Sequence, residues 1–234
     1  MIIIVTASFA PAVALLMFFY LKDELEPEPV YLVIRSFFFG MLLVFPVSFL
    51  QFAIGSETDM TNTFLVSFFH VALTEEFFKW FVVVLFIFNH SAFKTRYDGI
   101  VYASAVSLGF AAVENLLYVS INGLETAIYR ALFPVTVHAL VGVLMGYYVG
   151  AAKFNFRFKA IYLLLALLIP AFFHGMYHLS LVRYSAVNYG LMPFMIVLWF
   201  TALYKIKQAN QLSLSEYLKR GSHSLYSGVK RNGY

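Results

Sequence analysis

None of the 234 residues is cysteine. That absence excludes disulfides, thiolate metal sites and a cysteine nucleophile. Charge is scarce as well: 12% of residues are Asp, Glu, Lys or Arg, against 62% hydrophobic. With a mean hydropathy of +0.80, the composition lies far outside the soluble range. Three protease signatures are missing too, namely the HExxH zinc helix, the GxGD aspartyl motif and the GxSG serine motif. The net charge of +4 sits in loops and in the tail, so no nucleic-acid surface is expected.

What is present is a series of apolar runs long enough to cross a bilayer. Seven can be drawn, at 1–21, 30–54, 63–89, 97–121, 126–151, 160–183 and 187–206. The expected fold is all-α, a polytopic membrane helical bundle of about seven transmembrane helices. Residues 1–207 form the membrane domain and 208–234 a polar, basic tail, flexible or lying against anionic lipid. The first run starts apolar, with no basic n-region, and is expected to be retained.

Loop charges set the orientation. Lys94 and Arg96, then Lys153, Arg157 and Lys159, then Lys205, Lys207, Lys219, Arg220, Lys230 and Arg231 fall on one side. The alternate connections carry Glu57 and Asp59, Glu125 with Arg130, and Arg183. The positive-inside rule then places the N-terminus outside and the C-terminus inside. The acidic first loop, with Lys22, Asp23, Glu24, Glu26 and Glu28, is the weakest member of that scheme.

Against this background Glu75, Glu76 and Lys79 stand out inside the third run. One ionised side chain at the centre of a spanning helix costs about 2.5–3.5 kcal/mol on insertion scales. Lys79 is i+4 from Glu75 and i+3 from Glu76, so one cation can address either carboxylate. The bland account is an internal ion pair that eases insertion. The functional account is a carboxylate held for chemistry in a polar cavity.

Four more ionisable residues fall within runs: Glu114, His138, His174 and His178. Any one of them has a structural explanation, and His70 is expected simply to bond a backbone carbonyl. Depth argues for a common purpose. Counting roughly 1.5 Å per residue from the outer ends, Glu75 and His138 lie about 18 Å deep, His174 about 13 Å, Glu114 about 10 Å and His178 about 7 Å. A single cavity opening outward accounts for that shared layer.

His174 and His178 are spaced i,i+4, which lets two imidazoles ligate one zinc ion. A carboxylate could then take a proton from the bound water, whose pKa the ion lowers toward about 7. Paired carboxylates sharing a proton are the metal-free alternative. The histidine count favours the metal. Gly142, Gly146 and Gly150 form a small-residue ridge in line with His138 and are expected to permit close helix approach.

The motifs carry a resemblance. Glu75-Glu76-xx-Lys79 reads as EExxK, Phe110-xxx-Glu114 as FxxxE, Pro134-xxx-His138 as a third motif and His174 as the opening of HxxxD. In these the chain resembles the PrsW family of membrane proteases, a group related to CAAX prenyl proteases and bacteriocin-processing proteins. Stretches 35–38 and 97–100 also look family-like, without catalytic meaning. One position departs: His178 stands where the family has aspartate.

The resemblance implies a membrane-embedded endopeptidase of the bacterial cell membrane. It would make the first, extracytoplasmic-side cut in a membrane-anchored, single-span anti-sigma factor, ahead of a site-2 protease. On this reading Glu75 is the general base and Glu76 its partner or a ligand. Lys79 holds the pair or stabilises an oxyanion. Glu114, His138 and His174 are the expected zinc ligands, with His178 a fourth or supporting group. Two rival readings are an ion-coupled transporter using the same groups as a proton relay, and a catalytically silent partner-binding relative. A relay would call for polar residues in both halves of the membrane and for repeated topology, neither of which is visible.

Overall fold

The computed structural model describes residues 1–23, 25, 27–58, 62–183 and 190–231, the side chains of 182, 183 and 219–231 excepted. Glu24, Glu26, Asp59 and the expected span start at 187–189 therefore lie outside the described residues. So do the side chains of Arg183, Lys219, Arg220, Lys230 and Arg231.

Among the described residues every regular element is helical. We label them α1 (Ile2–Leu21), α2 (Val30–Glu57), α3 (63–87), α4 (Arg96–Asn122), α5 (Thr126–Leu132), α6 (Pro134–Phe154), α7 (Lys159–Arg183) and α8 (Leu191–Arg231). Among the described residues five stretches are long and apolar enough to cross a membrane: α1, α2, α4, the α5–α6 stretch and 156–181. The other two expected spans fall on helical segments of a different kind, one irregular and one extending into polar sequence.

Burial sorts the helices into centre and rim. The best apolar windows of α4 and α5–α6 are 78% and 83% buried, against 17–28% for the other three. The centre consists of α4 against α6, with α1 and α2 packed on α4, and α7 and α8 on α6. Small residues make this contact close. A Cβ on Gly146 would overlap the Gly99 carbonyl oxygen, and Gly142 and Gly150 likewise face α4 backbone or Ser107. The ridge expected from sequence is thus the seam between the two central helices. Elsewhere on α4, Gly40 of α2 lies equally tight against the Val106 carbonyl.

Local chemistry sets the helix ends. Thr95 and Asp98 form a capping box at the start of α4. Gly123, at φ +94°, ends that helix in a region other residues avoid. Pro134 occupies the first turn of α6, where its missing N–H costs nothing. The expected single span 126–151 is therefore interrupted at Phe133.

Within α3, π-helical turns at Val66–Leu73 and Val83–Ile87 flank an α-helical piece, Thr74–Val82. Such turns are rare and often accompany functional sites. Helix α8 runs through residue 207 without a break. Beyond that point Asn210 Nδ2 donates to the Lys22 carbonyl, Ser213 Oγ accepts from Tyr97 N–H, and Glu216 pairs with Arg96 at 2.8 Å. Polar anchors to α1 and α4 thus hold a segment whose composition suggested a loose tail.

Candidate active site

The α-helical piece of α3 turns Glu75, Glu76 and Lys79 toward the bundle, and all three are buried. Lys79 Nζ lies 2.8 Å from Glu76 Oε1 and 3.5 Å from Glu75 Oε2. Its third polar neighbour is Nδ1 of His138 on α6, at 2.9 Å. The ammonium also stands 4.4 Å from the centre of the Phe110 ring. That cation–π contact gives the phenylalanine of FxxxE a physical role. Lys79 is 0% exposed. Removing one partner from such a buried pair typically costs about 3–5 kcal/mol, because the remaining charge is stranded.

His174 on α7 extends the network. Its Nδ1 lies 2.9 Å from Glu76 Oε1. Its Nε2 faces Nε2 of His178 at 3.1 Å and is 4.0 Å from Glu75 Oε2. On α4, Glu114 Oε2 lies 2.9 Å from Nε2 of His138. Glu114 and His178 are partly exposed while the others are buried, so these two mark the mouth of the cluster. Four helices thus bring together all seven residues expected from sequence.

Four further residues complete the surroundings. Gln51 of α2 reaches Glu75 Oε1 through Nε2 at 3.4 Å, and its carbonyl accepts from His70 Nε2 at 2.8 Å. His70 therefore plays the backbone-bonding role expected of it. Arg130 of α5 is buried, with Nη2 3.3 Å from Glu114 Oε1 and Nε donating to Asn115 Oδ1 at 2.9 Å. Asn115 in turn donates to the Ser8 carbonyl of α1 at 3.0 Å. By sequence Arg130 counts with the connection charges although the drawn span 126–151 contains it; the structure places it on the short helix before Pro134.

The donor set suits a cation. Ligand atoms of Glu75, Glu76, His138 and His174 all lie within 4.8 Å of one another. Glu76 Oε2 is buried with no hydrogen-bond partner. Three carboxylates (Glu75, Glu76, Glu114) against two cations (Lys79, Arg130) leave one formal negative charge when the imidazoles are neutral. The Glu76–His174 contact matches the carboxylate–histidine pairing that orients metal-binding imidazoles.

A helical membrane bundle with carboxylates, imidazoles and a lysine gathered in one cluster has the groups that a membrane-embedded hydrolase needs. Comparison with known proteins makes this specific. Residues 28–204 match the family described as PrsW family intramembrane metalloprotease. The chain belongs to that family, and it is a membrane peptidase.

Among its relatives are proteins named Protease PrsW. The one from Oceanobacillus iheyensis is 50% identical over 211 residues, 90% of this chain and 98% of the relative. The Geobacillus kaustophilus protein is 49% identical, covering 88% and 92%. That of Bacillus subtilis is 43% identical, covering 92% and 100%. No solved structure matches the chain.

Proposed function

We propose that this peptidase makes the first, extracytoplasmic-side cut in a membrane-anchored, single-span anti-sigma factor. That cut would lead to release of an extracytoplasmic-function sigma factor in an envelope-stress response. The observation that carries the peptidase chemistry is the position of Glu75, buried beside Lys79 and 4.0 Å from His174 Nε2. The substrate class rests on the family resemblance. Seven crossings of the bacterial cell membrane, with the N-terminus outside, are supported by the loop charges.

Zinc is the proposed ion. His174 Nε2, His178 Nε2, His138 Nε2 and Glu114 Oε2 would hold it: the first two lie 3.1 Å apart and the last two 2.9 Å, separations that within each pair suit neighbouring ligands at bond lengths of about 2.0–2.2 Å. When bound, the ion lowers the pKa of a coordinated water toward about 7. The chain's own groups do the rest. Glu75 takes the water's proton and hands it to the leaving amine. Glu76 fixes the His174 ring, and Lys79 holds both glutamates and offers positive charge to a developing oxyanion. Arg130 pairs with Glu114 and holds it in place.

The test is cleavage of a tagged anti-sigma factor in a co-expressing membrane. Glu75→Gln should abolish the cut while the protein still inserts at wild-type level. Full cleavage by that variant would remove Glu75 from the base role.

A further inference from the structure

The first loop buries a carboxylate that the peptidase chemistry does not use. Glu28 is 3% exposed, and neither of its carboxylate oxygens has a hydrogen-bond partner. It lines a cavity of about 30 Å³ between the loop and the start of α4, shared with Lys94, Thr95 and Asp98. Each of Asp23, Glu28 and Asp98 places a carboxylate oxygen within 4.8 Å of the others. The Tyr102 hydroxyl, one turn along α4 from Asp98, is likewise fully buried without a hydrogen-bond partner.

A buried, unpartnered carboxylate costs several kcal/mol as an anion, so it either holds a proton or is neutralised by a cation. Water alone supplies no charge. A hard cation with oxygen ligands at about 2.3–2.6 Å spans about 4.6–5.2 Å between opposite donors. The observed spacing fits that size, and the cavity admits one ion with little besides. Carboxylates without nitrogen or sulfur donors select calcium or magnesium over zinc. Asp98 accepts from Lys94 and Thr95 N–H groups and from the Thr95 hydroxyl, leaving lone pairs to spare. Tyr20 donates to the Glu28 carbonyl and fixes the loop, at 3.1 Å.

We propose that Asp23, Glu28 and Asp98 form a second cation site, for a hard divalent ion such as calcium, distinct from the active-site cluster. The bound ion clasps the α1–α2 loop to the N-terminus of α4. Since α4 also carries Glu114, the ion steadies the helix that presents that residue, roughly 24 Å along the axis at 1.5 Å per residue.

The test uses full-length, detergent-solubilised protein stripped with chelator. Terbium, a luminescent stand-in for calcium excited through nearby tyrosines, is titrated and then displaced by calcium, and thermal midpoints are recorded alongside. The expected result is saturable emission and a midpoint raised by several degrees with calcium. Both should persist in His174→Ala and weaken at least tenfold in affinity in Glu28→Gln. Asp23→Asn, at the half-exposed end of the loop, supplies a second variant should Glu28→Gln not fold; it should weaken binding several-fold. No saturable emission in wild type overturns the proposal. So does binding unchanged in Glu28→Gln or Asp23→Asn, and so does binding lost only in His174→Ala.

Discussion

Lys79 Nζ stands 2.9 Å from Nδ1 of His138, linking α3 to α6 across 59 residues of sequence. An ammonium has only protons to offer, so Nδ1 accepts and the ring proton belongs on Nε2, 2.9 Å from Glu114 Oε2. One contact thereby fixes a tautomer and joins EExxK, FxxxE and the Pro134–His138 motif in a single chain of hydrogen bonds.

Zinc uptake should therefore release protons. For His138 Nε2 to ligate, its ring proton must move to Nδ1, where it displaces a proton of Lys79, whereas the His174–His178 pair needs only a shift of tautomer. Calorimetric titration in buffers of different ionisation enthalpy should show at least one proton released per zinc, and affinity should rise by about tenfold per pH unit for each proton. Binding that is independent of buffer and pH would contradict this ligand set.

Lys79 should be irreplaceable. Lys79→Met leaves Glu75 and Glu76 buried without their cation, a loss of about 3–5 kcal/mol. We expect reduced accumulation in the membrane and at least a hundredfold loss of cleavage. Lys79→Arg should not rescue it, since no space surrounds a fully buried ammonium between Phe110, His138 and two carboxylates. Quantitative immunoblots of the membrane fraction beside the cleavage assay would separate folding from chemistry.

Arg130 should act through Glu114. Arg130→Gln is expected to lower kcat roughly tenfold with little change in KM, with partial recovery in Arg130→Lys, because the point charge is restored without the link to Asn115. A purely structural role would show instead as a falling thermal midpoint, with kcat preserved in the folded fraction.

His178 tests the one departure from the family pattern. Its Nε2 reaches His174 Nε2 at 3.1 Å, a position a shorter carboxylate on the same helix face could serve through water. His178→Asp should keep cleavage within about tenfold of wild type, whereas His178→Ala should lose about 10–100-fold in metal affinity. Metal-binding titrations on both variants would decide.

Much of the site was legible because a membrane makes polar residues conspicuous. Glu75, Glu76 and Lys79 stand out as charges in an apolar run, and helical spacing alone sets them on one face. Depth counting put Glu114, His138, His174 and His178 in the same layer, and these residues do converge. Gln51 and Arg130 were illegible for a different reason. Each is a lone polar residue near a helix end, and only the packing of α2 and α5 reveals what it meets. The π-helical turns of α3 left no trace in hydrophobic periodicity. Nor could the apolar pattern foresee α8 continuing past 207, because Asn210, Ser213 and Glu216 hold it there by polar contacts rather than apolar burial.

Glu28 gives the first loop a pH dependence. Burial pushes its carboxyl up to about 9, against an ordinary value near 4.5. A raised folded-state value means that folding takes up a proton. The stability it contributes is complete below about pH 4.5 and is lost as pH rises toward 9. In chelator, the thermal midpoint should fall between pH 5 and 9 in wild type and flatten in Glu28→Gln. Equal slopes for the two proteins would show that the loop carboxylate is not the group responsible.

The central claim, a peptidase whose Glu–His cluster works with zinc, is tested most directly by metal content. Wild type and His174→Ala would be purified side by side, and cleavage of the tagged anti-sigma factor measured before and after chelation. The account predicts close to one zinc per wild-type chain, lost in His174→Ala together with cleavage. Cleavage that persists in metal-free wild type would contradict it and assign the chemistry to the Glu75–Glu76 pair alone.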